Sequence, residues 1–275
     1  MRVEDFCQHL LRDFLPQIDP QRSGVAFDVG VGTFSFYCET FAKLGFRTIA
    51  VEPLPVKEVH ELCARRGITL IESAISDSTG TTTMYIGEYD GVENLNLNSL
   101  RPDWWGNSHQ TKQVTTITLP MLWERAHADH VTCLKIDTEG SESVILIQLA
   151  ALLPASLPDI VMFEYGGGSS RASERGAWSQ NYLDSTLTCL HSLQQCGYQH
   201  SLIIDSDAPL RSIDLQNAAI DADSLFVPDS HYGNFICFRS FQPDSRRVIA
   251  LSERYRVEVD NWVIRFTRRM RNLLS

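Results

Sequence analysis

The sequence predicts an α/β fold, a doubly wound sheet of mainly parallel strands with helices on both faces. Apolar, β-rich runs alternate along the chain with helical patterns, which is typical of strand–helix–strand units. Two of these runs end in acidic residues, the first in Asp28-Val29-Gly30-Val31-Gly32 and the second in Glu52. Ligands of such sheets bind beyond the carboxyl ends of the strands, so a ligand site is expected at that edge.

Five runs are expected to form the parallel strands: residues 25–29, 48–52, 69–75, 131–137 and 159–165. Helical patterns follow at residues 36–44, 56–66, 141–153 and 182–196. Three of these helices end at a glycine, which is a common helix terminator. Two later runs, residues 200–205 and 234–239, predict an antiparallel pair that closes the C-terminal edge of the sheet.

Two segments interrupt this alternation. Residues 76–105 are rich in Gly, Thr, Asn and Asp, which predicts a short strand at residues 84–86 and then a loop over the site. Residues 166–179 begin with three glycines and predict a mobile loop. Loops of this length in a compact domain often bind substrate, so we expect substrate choice to depend on these two segments.

The chain divides into three predicted parts. Residues 1–22 contain an amphipathic helix, residues 23–240 form the main domain, and residues 241–275 form a basic amphipathic extension. Four arginines mix with apolar residues within residues 257–275. Such a helix can pack on the domain, form a contact in a homodimer, or bind an acidic membrane surface or a carrier partner.

Charge, hydropathy and cysteine content argue against several classes of protein. The chain has 275 residues and a formal net charge of −10, which argues against a general nucleic-acid binder. No apolar run approaches the roughly 18 residues of a transmembrane segment. The seven cysteines form no C-x-x-C pair, which predicts buried free thiols. Together with the absence of a signal-peptide pattern, this predicts a cytoplasmic protein.

The glycine loop after the first strand distinguishes two classes of cofactor. A dinucleotide-binding loop has a third glycine, and Thr33-Phe34-Ser35 stands here instead, which argues against a nucleotide-dependent oxidoreductase. The Asp28 carboxylate can face the amino group of an amino-acid moiety, and the Glu52 carboxylate can accept hydrogen bonds from a ribose diol. S-adenosylmethionine has both groups and is the cofactor that we expect.

A run of carboxylates follows the strand at residues 131–137. Asp137, Glu139 and Glu142 lie close together in the segment Lys135-Ile136-Asp137-Thr138-Glu139-Gly140-Ser141-Glu142, where a helix is predicted to begin. Acidic residues cap helix N-termini, and Glu142 is the member best suited to that role. The others can position a substrate hydroxyl, act as a general base or bind a divalent cation.

These motifs, with Glu52-Pro53 and Glu164-Tyr165 in the same order, resemble those of the FkbM-type methyltransferases over residues 25–165. The resemblance implies a Rossmann-like class I methyltransferase fold and S-adenosylmethionine-dependent O-methylation. The implied partner is a small-molecule acceptor, methylated at a hydroxyl group of a sugar, a polyketide or another secondary metabolite.

The resemblance also implies roles for individual residues. The implied cofactor-binding residues are Asp28, Gly30 and Gly32 along the methionine part, Glu52 at the ribose, Ser73 and Ala74 near the adenine, and Asp137. Asp137 would border the methyl-transfer site as the first choice for the general base. The other implied catalytic residues, Glu139 and Glu164, would lie behind or beside it. An Asn-rich stretch at residues 94–98 is expected to contact cofactor or substrate.

The chain departs from the family in the glycine loop, where the family usually has Asp-Val-Gly-Ala-Asn-x-Gly. Gly32 replaces the asparagine and Phe34 replaces the later glycine, so we expect Phe34 to crowd the start of the next helix. A catalytically silent cofactor-binding module or scaffold therefore stays an alternative. Trp104-Trp105 is expected either to form an apolar wall for the acceptor or to anchor its loop on the core.

Overall fold

The computed structural model describes residues 1–256. Its strands are β1 (Val25–Val29), β2 (Arg47–Val51), β3 (Thr69–Ile71), β4 (Ala74–Ile75), β5 (Gly80–Tyr89), β6 (Val92–Glu93), β7 (Asn107–Ile117), β8 (Val131–Ile136), β9 (Ile160–Gly166), β10 (His200–Asp205), β11 (Arg211–Asp214) and β12 (Tyr232–Phe238). Its α-helices are α1 (Val3–Ile18), α2 (Phe36–Lys43), α3 (Lys57–Arg66), α4 (Leu119–Ala126), α5 (Glu142–Leu146), α6 (Gln180–Gln195), α7 (Ala222–Leu225) and α8 (Ser245–Ser252). The predicted helix at residues 257–275 lies outside the described residues.

Eight strands form one large sheet in the order β11-β10-β12-β9-β8-β1-β2-β3. The five strands from β9 to β3 run parallel to one another. β12 lies antiparallel to both β9 and β10, and β11 lies antiparallel to β10. The predicted α/β class, the mainly parallel sheet and the antiparallel pair of β10 and β12 are confirmed. β11 extends the sheet by one strand that the sequence pattern did not predict.

Helices cover both faces of the large sheet because its central strands are apolar on both sides. Every residue of β1 and β8 is buried, as expected for strands covered on both faces. On one face Phe27 of β1 stacks on Trp123 of α4, with ring centroids 4.7 Å apart, in a cluster that includes α5 and α6. On the other face Ala26 and Cys133 join α1 and α2.

A second sheet of four strands, in the order β4-β7-β5-β6, lies where a loop was expected. The strand expected at residues 84–86 is present, but it is the longer, ten-residue β5, which pairs along β7, and β6 and a 3-10 helix at Leu95–Leu97 lie in the expected loop. The sequence did not predict β7, since most of its side chains are polar and exposed and it has no clear apolar alternation. The short helix α4, which follows β7, was also not predicted.

Two further elements differ from their predicted lengths. The strand expected at residues 69–75 divides into β3 in the large sheet and β4 in the second sheet. The helix expected at residues 141–153 is α-helical only in α5 and continues as a 3-10 helix over Ile147–Ala151. In residues 166–179, expected as a loop, two short 3-10 helices form.

Among residues 1–256, no helix combines the length and the apolar character needed to cross a membrane.

Candidate active site

A cavity of about 290 Å³ opens at the carboxyl ends of the parallel strands. Residues at the ends of β1, β2, β8 and β9 line it, and the second sheet, α1 and β12 contribute further residues. Every residue that the sequence placed in the site lines this one cavity: Asp28, Gly30, Gly32, Glu52, Ser73, Ala74, Asp137, Glu139 and Glu164. The edge of the sheet at which they meet is the one where ligands of parallel sheets bind.

The glycine loop after β1 passes directly against the end of β8. Gly30 and Gly32 have φ values of +76° and +59°, in a region of backbone conformation that residues other than glycine rarely adopt. A Cβ atom on Gly30 would lie 1.6 Å from the Asp137 carbonyl oxygen. A larger residue there would push the loop away from Asp137, so glycine at this position keeps the two site segments together.

Asp28 has a structural role at the base of the cavity. Its carboxylate is buried, and Oδ2 accepts a hydrogen bond of 2.8 Å from the Cys38 N–H in the first turn of α2. Its Oδ1 lies 3.2 Å from the Lys135 ammonium. Burial raises the pKa of Asp28, and the Lys135 charge opposes that rise. Asp28 therefore ties β1, α2 and β8 together beneath the bound ligand that we expect.

Lys135 is a buried cation that the sequence analysis did not select as a site residue. Its ammonium donates a hydrogen bond of 2.9 Å to the Gly30 carbonyl and lies 3.4 Å from Asp137 Oδ2. Burial alone would lower the pKa of Lys135, but the carboxylates of Asp28 and Asp137 outweigh burial and raise it. The signal in the sequence was a lysine in the middle of an otherwise apolar, fully buried strand.

Glu52 is held at the end of β2 by two backbone groups. Its Oε2 accepts the Gly32 N–H and its Oε1 accepts the Leu54 N–H, each at 3.0 Å. Burial raises the pKa of Glu52, and these two hydrogen bonds oppose the rise. Each carboxylate oxygen has two acceptor sites, so both oxygens keep capacity for the hydroxyl groups of a diol.

Asp137, Glu139 and Glu164 form an acidic cluster at the ends of β8 and β9. Carboxylate oxygens of all three lie within 4.8 Å of one another, close enough to hold a metal ion. Burial raises the pKa values of Glu139 and Glu164 well above their usual range, and the neighbouring Asp137 raises them further. Glu139 also has a left-handed backbone, with φ of +54°, which stores strain at this position.

Glu142 is structural, as expected, but it accepts hydrogen bonds from the turn before α5 and does not cap the N–H groups of the helix. Its Oε1 accepts a hydrogen bond of 2.8 Å from the Thr138 N–H, and its Oε2 accepts one of 3.1 Å from the Gly140 N–H. These bonds fix the turn that leads from β8 into α5. Glu142 does not line the cavity, so the acidic cluster is left as the chemically available group.

The Asn-rich stretch at residues 94–98 closes the cavity from the second sheet. Asn96 Oδ1 accepts hydrogen bonds from the Thr33 N–H at 2.8 Å and from the Thr33 hydroxyl at 2.9 Å. Asn98 Oδ1 accepts one from the Gly87 N–H at 2.9 Å. Asn96 and Asn98 line the cavity, and their contact with a ligand stays a prediction.

Phe34 in the glycine loop and Trp104 in residues 76–105 differ in their surroundings. Phe34 is 62% exposed and stacks on Phe36, the first residue of α2, at the rim of the cavity, so its ring lies on the surface beside the helix start and does not crowd it as expected. Trp104 is buried edge-to-face against Tyr182 and lies against Gly140. It does not line the main cavity, so the structure favours the interpretation that Trp104 anchors its loop on the core.

Three residues from other parts of the chain complete the cavity wall. Glu4 of α1, Tyr37 of α2 and Tyr232 of β12 line it, and no motif in the sequence indicated Glu4 or Tyr37. Glu4 and Tyr232 are far from the motifs along the chain, and only the packing of α1 and β12 beside β9 and β8 brings them close. The pattern around them was that of an ordinary amphipathic helix and an apolar strand.

Comparison with known protein families agrees with this geometry. A family model described as the methyltransferase FkbM domain matches residues 23–199. The chain belongs to the FkbM methyltransferase family. This confirms the resemblance drawn from the motifs and supports a methyltransferase. α1 and β12 lie outside the matched residues. No curated protein matches the chain.

Proposed function

We propose that this FkbM family member is an S-adenosylmethionine-dependent O-methyltransferase that acts on a hydroxyl group of a small molecule, a sugar or another secondary metabolite. One observation carries the proposal. A single cavity runs along the edge of the sheet past β2, β1, β8 and β9, from Glu52 to Glu164, with Asp137 between them. It offers a diol-binding carboxylate at one end and acidic groups suited to proton transfer at the other.

The residues of the β1–β2–β3 half fit an adenosine-containing cofactor. Glu52 would accept hydrogen bonds from the ribose hydroxyls, and Ser73 and Ala74 would lie beside the adenine. The loop with Gly30 and Gly32 would border the methionine part. We also propose that the sheet has the Rossmann-like, doubly wound arrangement of class I methyltransferases. A cytoplasmic location and a homodimer stay proposals from the sequence.

S-adenosylmethionine supplies an electrophilic methyl group, so the protein's contribution is alignment of the acceptor oxygen and removal of its proton. We propose that Asp137 accepts this proton, since it lies at the centre of the cavity edge, against Gly30 and 3.4 Å from the Lys135 ammonium. Glu139 and Glu164, whose pKa values burial raises, would hydrogen-bond the acceptor beside Asp137. The alternative is that the three carboxyl groups bind a divalent cation, since their oxygens are suitable ligands.

Calorimetry tests the cofactor. We expect micromolar binding of S-adenosylmethionine and S-adenosylhomocysteine and no binding of NAD. Glu52→Ala should weaken both affinities at least about tenfold, since it removes the acceptor for two hydroxyl groups. Glu58→Ala, a change at an exposed glutamate of α3, is the matched control and should leave them unchanged. Binding of NAD, or of neither cofactor, would refute the proposal.

Substitution of the proposed base tests the chemistry. Asp137→Asn keeps the size of the side chain but removes the proton acceptor, so turnover should fall by about 100-fold or more. The affinity for S-adenosylhomocysteine should change much less. Full turnover in this variant would show that Asp137 is not the base. Treatment with a chelator, followed by addition of Mg²⁺ or Mn²⁺, tests the cation alternative. That alternative requires the chelator to abolish activity and the added cation to restore it.

A further inference from the structure

Glu4 brings a carboxylate into the cavity from outside the residues that match the family. It lies in the first turn of α1, where its Oε2 accepts a hydrogen bond from the Tyr37 hydroxyl. Its Oε1 accepts one of 3.0 Å from Asn234 Nδ2. These two bonds fix the carboxylate, and each oxygen keeps a second acceptor site that can serve a ligand.

The position of Glu4 along the sheet edge assigns it to one half of the cavity. Asn234 on β12 is the register partner of Glu164 on β9, so the amide that holds Glu4 lies next to the acidic cluster. Glu52 ends β2, on the opposite side of β8 and β1. Because the proposed cofactor occupies the β1–β2–β3 half, Glu4 borders the half that is left for the methyl acceptor.

The acceptor half is rich in carboxyl groups and poor in cations. Glu4 joins Asp137, Glu139 and Glu164 on its wall. Of the described residues that line the cavity, Lys135 alone is cationic, and its ammonium already contacts Asp28 and Asp137. A negatively charged group placed here would be buried among carboxyl groups with no free cation to pair with, which strongly disfavours its binding.

We propose that Glu4 is an acceptor-binding residue that selects a polyol without an acidic group near its reacting hydroxyl. A second hydroxyl or an ammonium group of the acceptor donates a hydrogen bond to Glu4, while Asp137 receives the proton of the reacting hydroxyl. This inference rests on the proposed function. It adds that α1, outside the matched residues, helps to determine the class of substrate.

The test uses three matched probes: methyl β-D-glucopyranoside, its 2-amino-2-deoxy derivative, and its uronic acid. Binding of each to the protein saturated with S-adenosylhomocysteine is measured by calorimetry, and transfer of labelled methyl from S-adenosylmethionine is followed by mass spectrometry. We expect the neutral and amino probes to bind and accept methyl. The uronic acid should be disfavoured at least about 100-fold, because its carboxylate meets the carboxyl groups of the cavity.

The variant Glu4→Gln distinguishes a role of Glu4 in acceptor binding from a role in the stability of the fold. The variant keeps the side-chain volume and one oxygen acceptor, so Tm and the affinity for S-adenosylhomocysteine should stay unchanged. KM for the neutral probe should rise about tenfold, with kcat changed less, and the discrimination against the uronic acid should shrink by a similar factor. Asp5→Asn, one residue further along α1 at an exposed position, is the matched control and should alter neither quantity.

Three outcomes would overturn the inference. Equal use of the uronic acid would show that charge does not select the acceptor. Unchanged KM values in Glu4→Gln would show that Glu4 does not contact it. Binding of S-adenosylhomocysteine with no binding of any polyol probe would reject the substrate class while leaving the proposed function in place. Failure to bind S-adenosylhomocysteine at all would instead refute the proposed function.

Discussion

Lys135 shows how one side chain organises the whole site. Its ammonium contacts Asp28 on β1, the Gly30 carbonyl of the glycine loop and Asp137 at the end of its own strand. A buried cation of this kind is tolerated only when opposite charges and hydrogen bonds replace its water. The lysine therefore compensates for two of the carboxylates in the cavity and leaves Glu139 and Glu164 without a counter-charge of their own.

Because Glu139 and Glu164 lack a counter-charge of their own, the free energy of unfolding depends on pH. Burial raises the pKa values of Glu139 and Glu164 in the folded protein above those of the unfolded chain. The folded state therefore binds protons that the unfolded chain releases. The stabilising contribution of these groups is fully present below their unfolded pKa, about 4.3, and is lost as the pH rises through the raised folded values.

Glu164→Gln should remove much of this dependence, because glutamine is a neutral group of the same shape. We expect the Tm of the variant to exceed that of the wild-type protein by about 3 °C at pH 8, with a smaller difference toward pH 5. Thermal unfolding across that pH range measures the effect. Glu88→Gln, at an exposed position of β5, is the control. A difference in Tm that does not change with pH would contradict the assignment.

At the scale of elements, the sequence predicted the strands that have a clear apolar pattern and missed a strand that has none. The strands β1, β2, β8 and β9 have buried apolar runs that end in acidic residues, so both their class and their site residues could be identified. The exposed strand β7 has no such pattern, and its pairing with β5 depends on contacts between distant segments. The second sheet was therefore predicted as a loop.

The same limit applied to the site. The nine residues proposed for the site all line one cavity, because the carboxyl ends of parallel strands meet at one edge, and their roles stay predictions. Glu4 was missed, since it enters through the packing of α1 and has no local signal. Asn96, in the 3-10 helix between β6 and β7, accepts two hydrogen bonds from Thr33 of the glycine loop, so the region that was hardest to predict also shapes the cavity beside β1.

At the scale of the whole molecule, the cysteines lie in the large sheet and in the helices on both of its faces. Cys7 and Cys133 lie in the cluster under α1, Cys38 and Cys63 in the cluster of α2 and α3, and Cys189 in the cluster under α6. All seven are free, as the sequence predicted, and Cys196 alone is only partly buried. Burial raises the pKa of each of these thiols, that of Cys237 to about 12.

Thiol labelling should therefore report on the integrity of both faces of the large sheet at once. A thiol reacts as the thiolate and only when the reagent can reach it, so the native protein should show one fast-reacting thiol, Cys196. The six others should react only as fast as the protein opens, and all seven should react together in denaturant. Cys196→Ser should remove the fast phase and leave the slow phase unchanged. Two or more fast-reacting thiols in the native protein would contradict this expectation. They would show that one helical layer separates from the sheet on its own, because buried cysteines of different layers would then differ in their protection from the reagent.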